Sequence, residues 1–427
     1  MTIGFLADLL KASINNSKYL NKEIFGFSID TRTLKKNECF IALKEGHKYL
    51  ANIKKCVCVI VDNDFTSNDF AVLKVNDTKE TFKELALYFR NNFKGKVIGI
   101  TGSNGKTTTK ELLASVLNKQ YKTFKSYKNN NNDIGIPLNL FKLNNTYKYA
   151  VFELGMNHAG EIRDLVKIVK PNIALITNIG TAHIGNLGSK NNIYKAKMEI
   201  SDNNILFVNG LDKYLKKTKN AFKVNYKNID FEVKNIKENK NYIEFDLHID
   251  KKYHIKYHIP SKEQLTNVLL VIAVALYLKV KPKLIVKTLN HFKAIDNRMD
   301  IKKIKKSIII NDAYNSNYES LMAGLNSLKC YQKDKICIIG DILELGDKTK
   351  EIYKKITKKL KELNYKYIFV GQDTFNIKIE NSLYFNNVDE LINYYFQNKK
   401  EFLNKVIYIK GSNGINLLKF ANVIKKH

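Results

Sequence analysis

The chain has 427 residues, of which 44% are hydrophobic, 11% aromatic and 26% charged, with only 4 prolines; this excludes wholesale disorder and points to two or three globular domains. Its longest apolar run, Val268 to Leu278, has 11 residues, short of the ~20 that a membrane-spanning helix needs, so no membrane insertion is expected and this run reads as a buried core helix. Lys plus Arg outnumber Asp plus Glu by 72 to 41, a formal charge of +31 that would ordinarily raise nucleic-acid binding.

The arginine count argues against that partner. Only Arg32, Arg90, Arg163 and Arg298 are arginines, whereas nucleic-acid readers favour the bidentate guanidinium. The lysines are spread along the chain with many Asn and Ile, a compositional drift that also suits polyanionic small substrates. The opening MTIGFLADLLKAS carries Asp8 inside its apolar stretch and lacks a basic start, so no secretory signal is read and the cytoplasm is the expected compartment. The five cysteines are odd in number, and Cys56 and Cys58 alternate with valines in CVCVIV as inward-facing strand residues do; no metal or redox role is expected of them.

Residues 1–80 combine a helical opening, Phe5 to Lys11, with strand-like runs FGFSID, ECFIALK and VCVIVDND, the pattern of a small α/β domain. From Thr78 an amphipathic helix leads into KVIGITGSNGKTTTKELLASVLNKQ, which reads as buried strand, glycine-bearing loop and helix. Strands follow at YAVFEL and NIALITNI. The stretch from about 205 to 260 alternates in period two, which predicts an antiparallel excursion before the apolar helix 265–278. After Arg298 the pattern restarts with SIIINDAYN, KICIIGD, YKYIFVG and VIYIKGS, each followed by a helix-length segment. The expected architecture is α/β with three domains. Residues 1–80 form an N-terminal substrate domain, 81–296 a central mostly parallel sheet of the P-loop ATPase kind, and 297–427 a C-terminal Rossmann-like domain, with ligands at the carboxyl ends of the strands.

Gly102, Ser103, Asn104, Gly105, Lys106 and Thr107 lie between strand and helix. There, helix N-terminal amides and a lysine can hold phosphates, and a threonine hydroxyl can take Mg²⁺. Ile100 stands where the generic G-x-x-x-x-G-K loop has its first glycine, and an ordinary strand-to-helix turn is the alternative. Glu153 ends YAVFEL, and His183 follows ALITNI. Both are placed at a sheet's carboxyl edge, where they can ligate a phosphate-bound Mg²⁺ that keeps most of its waters. A capping carboxylate and a loop imidazole are the alternatives. Asn129 to Asn132 with Asp133 form either a substrate-contacting polar loop or a bland one.

Taken together and in order, TGSNGKTTTKE, NNNNDIGIPLNL, ELGMNHAGEI, NIGTAHIGNLGS, KAKMEI, NDAYNSNYESL and GDILELG resemble the Mur ligases over nearly the whole chain. The second, third and sixth of these look like the members that add D-alanyl-D-alanine to UDP-N-acetylmuramoyl-tripeptide. The resemblance implies an ATP-dependent carboxylate–amine ligase of peptidoglycan synthesis, with ATP and Mg²⁺, and a monomer without nucleic acid. It further implies that Lys106, with the loop through Thr108, holds the ATP phosphates, and that Thr107, Glu153 and His183 bind Mg²⁺ directly or through water. Lys197 matches a lysine that is carbamylated in many members and would then hold a second Mg²⁺; its alternative is a solvated helix lysine among the 68 lysines.

By the same resemblance Asn267 lies near adenine, although Thr266 precedes it where a histidine is usual. Arg298 reaches the γ-phosphate, with Asn297 in place of the family's glycine, and Asp312 contacts ribose. Tyr314, Asn315 and Asn317 line the site, Asn131, Asn132 and Asp133 contact substrate, and Thr31 and Arg32 face the UDP moiety. The family's longer Asp-Gly-His segment appears here only as KEGHKYL, Lys44 to Leu50. The implied chemistry is phosphorylation of a carboxylate and attack on the acyl phosphate by an amine. A sibling Mur ligase or a folylpolyglutamate synthetase is the nearest rival. A nucleic-acid-dependent P-loop NTPase and a catalytically inactive nucleotide-binding protein are the remote ones.

Overall fold

The computed structural model describes every residue except 54, 128, 241, 259–261, 294–296 and 427, and the side chains of 262 and 263. The excursion's expected end near residue 260 and the domain boundary expected at 296 therefore lie outside the described residues. The chain divides into two compact units. Residues 1–99, 121–155 and 163–172 form the first, and residues 100–120, 156–162 and 173–427 the second.

The first unit contains a five-stranded sheet in the order Ser13–Ile14, Ala71–Lys74, Cys58–Val61, Glu38–Ile41, Gly26–Ser28. All neighbours are parallel except the first pair. The period-two alternation sends Cys39, Ile41, Cys58 and Ile60 to one apolar cluster, with Leu6 and Leu10 of helix Ile3–Leu10. It sends Phe40, Val59, Val61 and Val72 to the other face. Both faces are thus covered, as parallel sheets require. The expectation that Cys56 and Cys58 mark a single inward face is corrected here. Cys58 opens a strand buried throughout, and Cys56 lies before it and is only half-buried.

Helix Thr78–Asn92 starts where the sequence places it, because the Asp77 side chain accepts from the amides of Lys79 and Glu80 at 2.7 and 2.9 Å. Its Arg90 is fixed by the carbonyls of Val169 and Lys170 at 2.5 and 2.7 Å. Strand Lys96–Thr101 follows and passes from the first unit into the second.

In the second unit Ile173–Ile176, Ile205–Asn209 and Phe222–Val224 run parallel. The antiparallel ladder is confined to Glu232–Glu238, Ile243–His248 and Lys252–Tyr257. The excursion expected from about 205 therefore begins nearly thirty residues later. Leu206 to Asn209 are all buried, the pattern of a strand covered on both faces rather than of a half-exposed one. Helix Lys262–Tyr277 buries Val268 to Ile272 to 1% exposure or less, so its all-round apolar surface is core. Among the described residues no helix is long and apolar enough to cross a membrane.

The last 130 residues form a six-stranded sheet in the order Asp300–Ile304, Ser307–Asn311, Val406–Lys410, Lys335–Gly340, Lys366–Val370, Leu383–Phe385. It is parallel except for its first, edge pair. Helices Val388–Gln397 and Leu417–Lys426 bury Leu391 and Phe420 against Ile338, Ile368 and Ile407 on one face. Strands Ser307–Asn311 and Val406–Lys410 are parallel neighbours in this sheet, so their carboxyl ends, where such sheets place ligands, lie side by side.

Candidate active site

Strand Lys96–Thr101 is buried through Ile100 and Thr101, so the turn begins only at Gly102, and this accounts for the missing first glycine of the generic loop. Gly102 has φ +147° and Gly105 has φ +79°, and neither position admits a side chain. A Cβ on Gly102 would fall 1.9 Å from Oγ1 of Thr177, and one on Gly105 2.5 Å from Nδ2 of Asn267. Helix Lys106–Leu117 starts directly after Gly105, presenting N-terminal amides and the positive end of its dipole. Nζ of Lys106 folds back onto the carbonyl of Gly102 at 2.7 Å. Ser103, Thr107 and Thr108 are buried, and Oγ of Ser103 accepts from the amide of Gly180 at 2.8 Å.

Nη2 of Arg298 donates to Oγ1 of Thr107 at 3.0 Å, and its guanidinium lies 3.8 Å from the centroid of the Tyr314 ring. Asn297 has φ +63°, the left-handed conformation that glycine takes freely and asparagine tolerates. The amide of Tyr314 donates to its carbonyl at 3.2 Å, and Nδ2 of Asn311 to its Oδ1 at 2.8 Å. The substitution of glycine noted in the sequence therefore preserves the turn that delivers Arg298.

Lys197 is 1% exposed, which corrects the alternative of a solvated helix lysine. Burial, with the neighbouring Lys106 charge second, pushes its ammonium well below the usual lysine range. His183, at φ +62° ahead of helix Ile184–Leu187, places Nδ1 2.6 Å from Oε2 of Glu344. Sequence reasoning did not single out Glu344. The hydrogen bond from His183 holds its carboxyl below the ordinary range, against an opposing contribution from burial.

Asn104 and Asn317 exchange side-chain hydrogen bonds at 3.1 and 2.7 Å, and Asn317 also caps helix Tyr318–Ser327. Its neighbour Glu319 accepts from the amide and hydroxyl of Thr181 at 2.8 and 2.7 Å and from Nζ of Lys190 at 2.7 Å. Burial alone would raise the Glu319 carboxyl, but Lys190 and Thr181 outweigh it and the net shift is downward. Asn267 is 3% exposed and donates through Nδ2 to Gln264 at 2.9 Å. Asp312 accepts from Nζ of Lys410 at 2.6 Å and from the hydroxyl of Tyr408 at 3.2 Å, and Asn315 gives its carbonyl to Lys410 at 3.1 Å. The second unit thus gathers the phosphate loop, Lys197, Arg298, Tyr314, Asn317 and Asn267 around one helix start. Glu319, Lys190, Glu344, Tyr408 and Lys410 were not expected; they partner Thr181, Glu319, His183 and Asp312. One signal was readable in advance, a lysine ending the all-apolar run VIYIK.

In the first unit Glu153, 3% exposed at the last position of strand Tyr149–Glu153, accepts from Nδ2 of Asn131 at 2.8 Å. Asn132 accepts the amide of Gly135 at 2.8 Å, and it and Asp133 are exposed ahead of helix Gly135–Leu140. Of these three, only Asn131 is drawn to a buried carboxylate. Arg32 is 86% exposed and pairs with Asp30 at 2.8 Å, while Thr31 is half-buried in the same turn. His47 of the KEGHKYL segment pairs with Asp62 at 2.8 Å. Among the described residues no three His, Cys, Asp or Glu side chains are grouped to hold a metal. Thr107 and Glu153 offer the hard oxygen donors that Mg²⁺ takes, and the imidazole of His183 would meet such an ion through a bound water.

Comparison with known proteins gives a concordant result. Residues 100–275 match the Mur ligase middle domain, and residues 297–413 the Mur ligase glutamate ligase domain. A UDP-N-acetylmuramoyl-tripeptide–D-alanyl-D-alanine ligase from Rickettsia prowazekii is 33% identical, with 98% of each chain covered. The protein of that name from Bacillus subtilis is 32% identical, covering 83% of this chain and 81% of its own. A crystal structure of MurF from Acinetobacter baumannii superposes with a TM-score of 0.90 at 28% identity, covering 100% of this chain and 99% of that one.

Proposed function

The chain belongs to the Mur ligase family of three-domain, ATP-dependent ligases, and from that premise we propose that it joins D-alanyl-D-alanine to UDP-N-acetylmuramoyl-tripeptide, giving the pentapeptide precursor of peptidoglycan. The observation that carries the reading is the convergence of Arg298 on Thr107 at the start of the phosphate loop helix. A lone phosphate loop is common to many NTPases. An arginine delivered onto it from almost two hundred residues away supplies the charge that phosphoryl transfer to a weak nucleophile needs.

Forming an amide from a carboxylate and an amine in water is uphill, so the carboxylate must first acquire a leaving group. A carboxylate oxygen of the tripeptide attacks the γ-phosphorus of ATP, the bond to the β,γ-bridging oxygen breaks, and ADP departs. The amine of D-alanyl-D-alanine then attacks the acyl carbon, the tetrahedral adduct collapses with loss of inorganic phosphate, and the amine proton passes to solvent. Lys106 leaves the Gly102 carbonyl for the phosphates, the helix amides hold them, and Arg298, stacked on Tyr314, reaches the transferring group. Mg²⁺ would be held through Thr107, Glu153 and His183, directly or through water, and when bound it offsets the charge of the phosphate oxygens. Burial shifts Lys197 toward the neutral amine, the form that reacts with carbon dioxide, and as a carbamate it would offer oxygen to a second cation.

We assign Asn267 to the adenine side, Asp312 to ribose, Asn315 and Asn317 to the site wall, Asn131, Asn132 and Asp133 to the peptide substrate, and Thr31 and Arg32 to the UDP moiety. The domain division stays 1–80, 81–296 and 297–427, although its first boundary falls within helix Thr78–Asn92, and the protein acts as a cytoplasmic monomer without nucleic acid. The test is ADP release with Mg-ATP and UDP-muramoyl-tripeptide, with and without D-alanyl-D-alanine, with mass detection of the pentapeptide. Release that needs both substrates and yields that product supports the reading. Product with a different acceptor amino acid would move the protein to a sibling ligase.

A further inference from the structure

Lys410 is the last residue of an otherwise apolar strand, Val406–Lys410, and is only 2% exposed. A buried ammonium is costly unless its donors are used, and all three donors of Lys410 have acceptors. Nζ lies 2.6 Å from Oδ2 of Asp312, 3.5 Å from the Asp312 carbonyl and 3.1 Å from the Asn315 carbonyl. The same Oδ2 accepts from the hydroxyl of Tyr408 at 3.2 Å, two residues back on the same face of the strand. That tyrosine is fully buried, and a Cβ on Gly324 would fall 1.8 Å from its hydroxyl, so the glycine leaves the space that the ring fills. The other carboxylate oxygen, Oδ1, takes the amide of Met299 at 3.2 Å. Met299 adjoins Arg298 and has φ +54°, a conformation disfavoured for its side chain that the Asp312 contact helps to hold. One ammonium thus fixes both the carboxylate of Asp312 and the loop through Asn315, and through Met299 it bears on the turn that carries Arg298.

We infer that Lys410, seconded by Tyr408, is a positioning residue for nucleotide binding: it orients Asp312 and the adjoining loop toward ATP without touching the nucleotide. The inference rests on the reading of Asp312 as a nucleotide contact. With Oδ2 committed to Lys410 and Tyr408, and Oδ1 to the Met299 amide, one acceptor site of Asp312, on Oδ1, is left to a ligand hydroxyl.

The test uses the full chain in three variants, Lys410→Met, Lys410→Arg and Tyr408→Phe, with Asp312→Asn as the reference. The readouts are direct binding of a fluorescent ADP and steady-state KM for ATP and for each of the other substrates. Loss of one charge-assisted contact predicts that Lys410→Met weakens ADP binding and raises KM for ATP roughly 10- to 100-fold. KM for D-alanyl-D-alanine stays unchanged. Lys410→Arg recovers part of the loss by restoring the charge in a different geometry. Combining Lys410→Met with Asp312→Asn adds little to Asp312→Asn alone, because both act through one carboxylate. Tyr408→Phe, which removes only a hydroxyl, shows a smaller rise in KM for ATP alone, and it decides the matter if Lys410→Met does not fold. ADP affinity and ATP KM at wild-type values in folded Lys410→Met, or in Tyr408→Phe where the former does not fold, would overturn the inference. So would fully additive losses in the double variant. Wild-type protein that binds no ADP would overturn the nucleotide reading of the site itself, and the role of Lys410 with it.

Discussion

Arg298 and Thr107 stand 191 positions apart in the chain, yet Nη2 of one donates to Oγ1 of the other at 3.0 Å. The hydroxyl proposed to meet Mg²⁺ and the guanidinium proposed to meet the transferring phosphoryl are therefore neighbours. A lysine at 298 keeps the charge but loses the planar fork and the stacking on Tyr314. Arg298→Lys is expected to lower kcat for ADP release about 100-fold while leaving the thermal midpoint close to wild type. An unchanged kcat would remove Arg298 from the chemistry.

Lys106 rests on the Gly102 carbonyl and must leave it to meet phosphates. Lys106→Met keeps the stem and removes the ammonium, so ADP formation should fall by roughly 10²- to 10³-fold in a protein whose circular dichroism matches wild type. Gly102→Ala should fail differently. The 1.9 Å clash with Thr177 distorts the loop, so ADP binding, measured by fluorescence titration, should be lost along with turnover.

The depressed ammonium of Lys197 has a stability consequence of definite sign. The folded state releases this proton below the usual lysine value of ~10.4, so between the two values the unfolded chain binds more protons and stability rises with pH. In carbonate-free buffer Lys197→Met should therefore be more thermally stable than wild type at pH 7, with the difference narrowing toward pH 10. Added bicarbonate should stabilise wild type only and raise its activity. A gap between the two proteins that does not change with pH would contradict the assignment.

Glu319 works in the opposite window. Its folded carboxyl lies below the unfolded value of ~4.3, so its contribution is complete above that value and is lost as pH falls through the folded one. Glu319→Gln should cost about 1–2 kcal/mol at pH 7, since the side chain is partly exposed and loses charge-assisted bonds to Thr181 and Lys190. The thermal midpoints of the two proteins should converge as pH falls below the folded carboxyl's own value. Equal midpoints at pH 7 would show that the network does not stabilise the fold.

Elements with strong periodicity and a clear cap were legible in the sequence. The phosphate loop, the helix begun by Asp77 and the four strands after Arg298 all form where their residues place them. The buried parallel run ILFVN was misassigned to the antiparallel excursion because burial on both faces erases the alternation that identifies a strand. Lys197 illustrates a different limit. Among 68 lysines, only its motif singled it out, and its near-complete burial depends on tertiary packing that no local pattern encodes. Glu319 and Glu344 were missed for the same reason, since each acts through partners distant in sequence; Lys410 had a local signal, a lysine closing an apolar strand, but its partners Asp312 and Asn315 lie almost a hundred residues away, whereas Asn297 was noticed and its left-handed backbone explains why asparagine serves there.

If a carboxylate of the tripeptide is phosphorylated before the amide forms, one of its oxygens must leave with the phosphate. UDP-muramoyl-tripeptide carrying oxygen-18 in the reacting carboxylate is turned over with Mg-ATP and D-alanyl-D-alanine, and the inorganic phosphate is analysed by mass. Each phosphate released should carry one labelled oxygen, with a pentapeptide that retains the other. Unlabelled phosphate alongside pentapeptide product would contradict that order of steps.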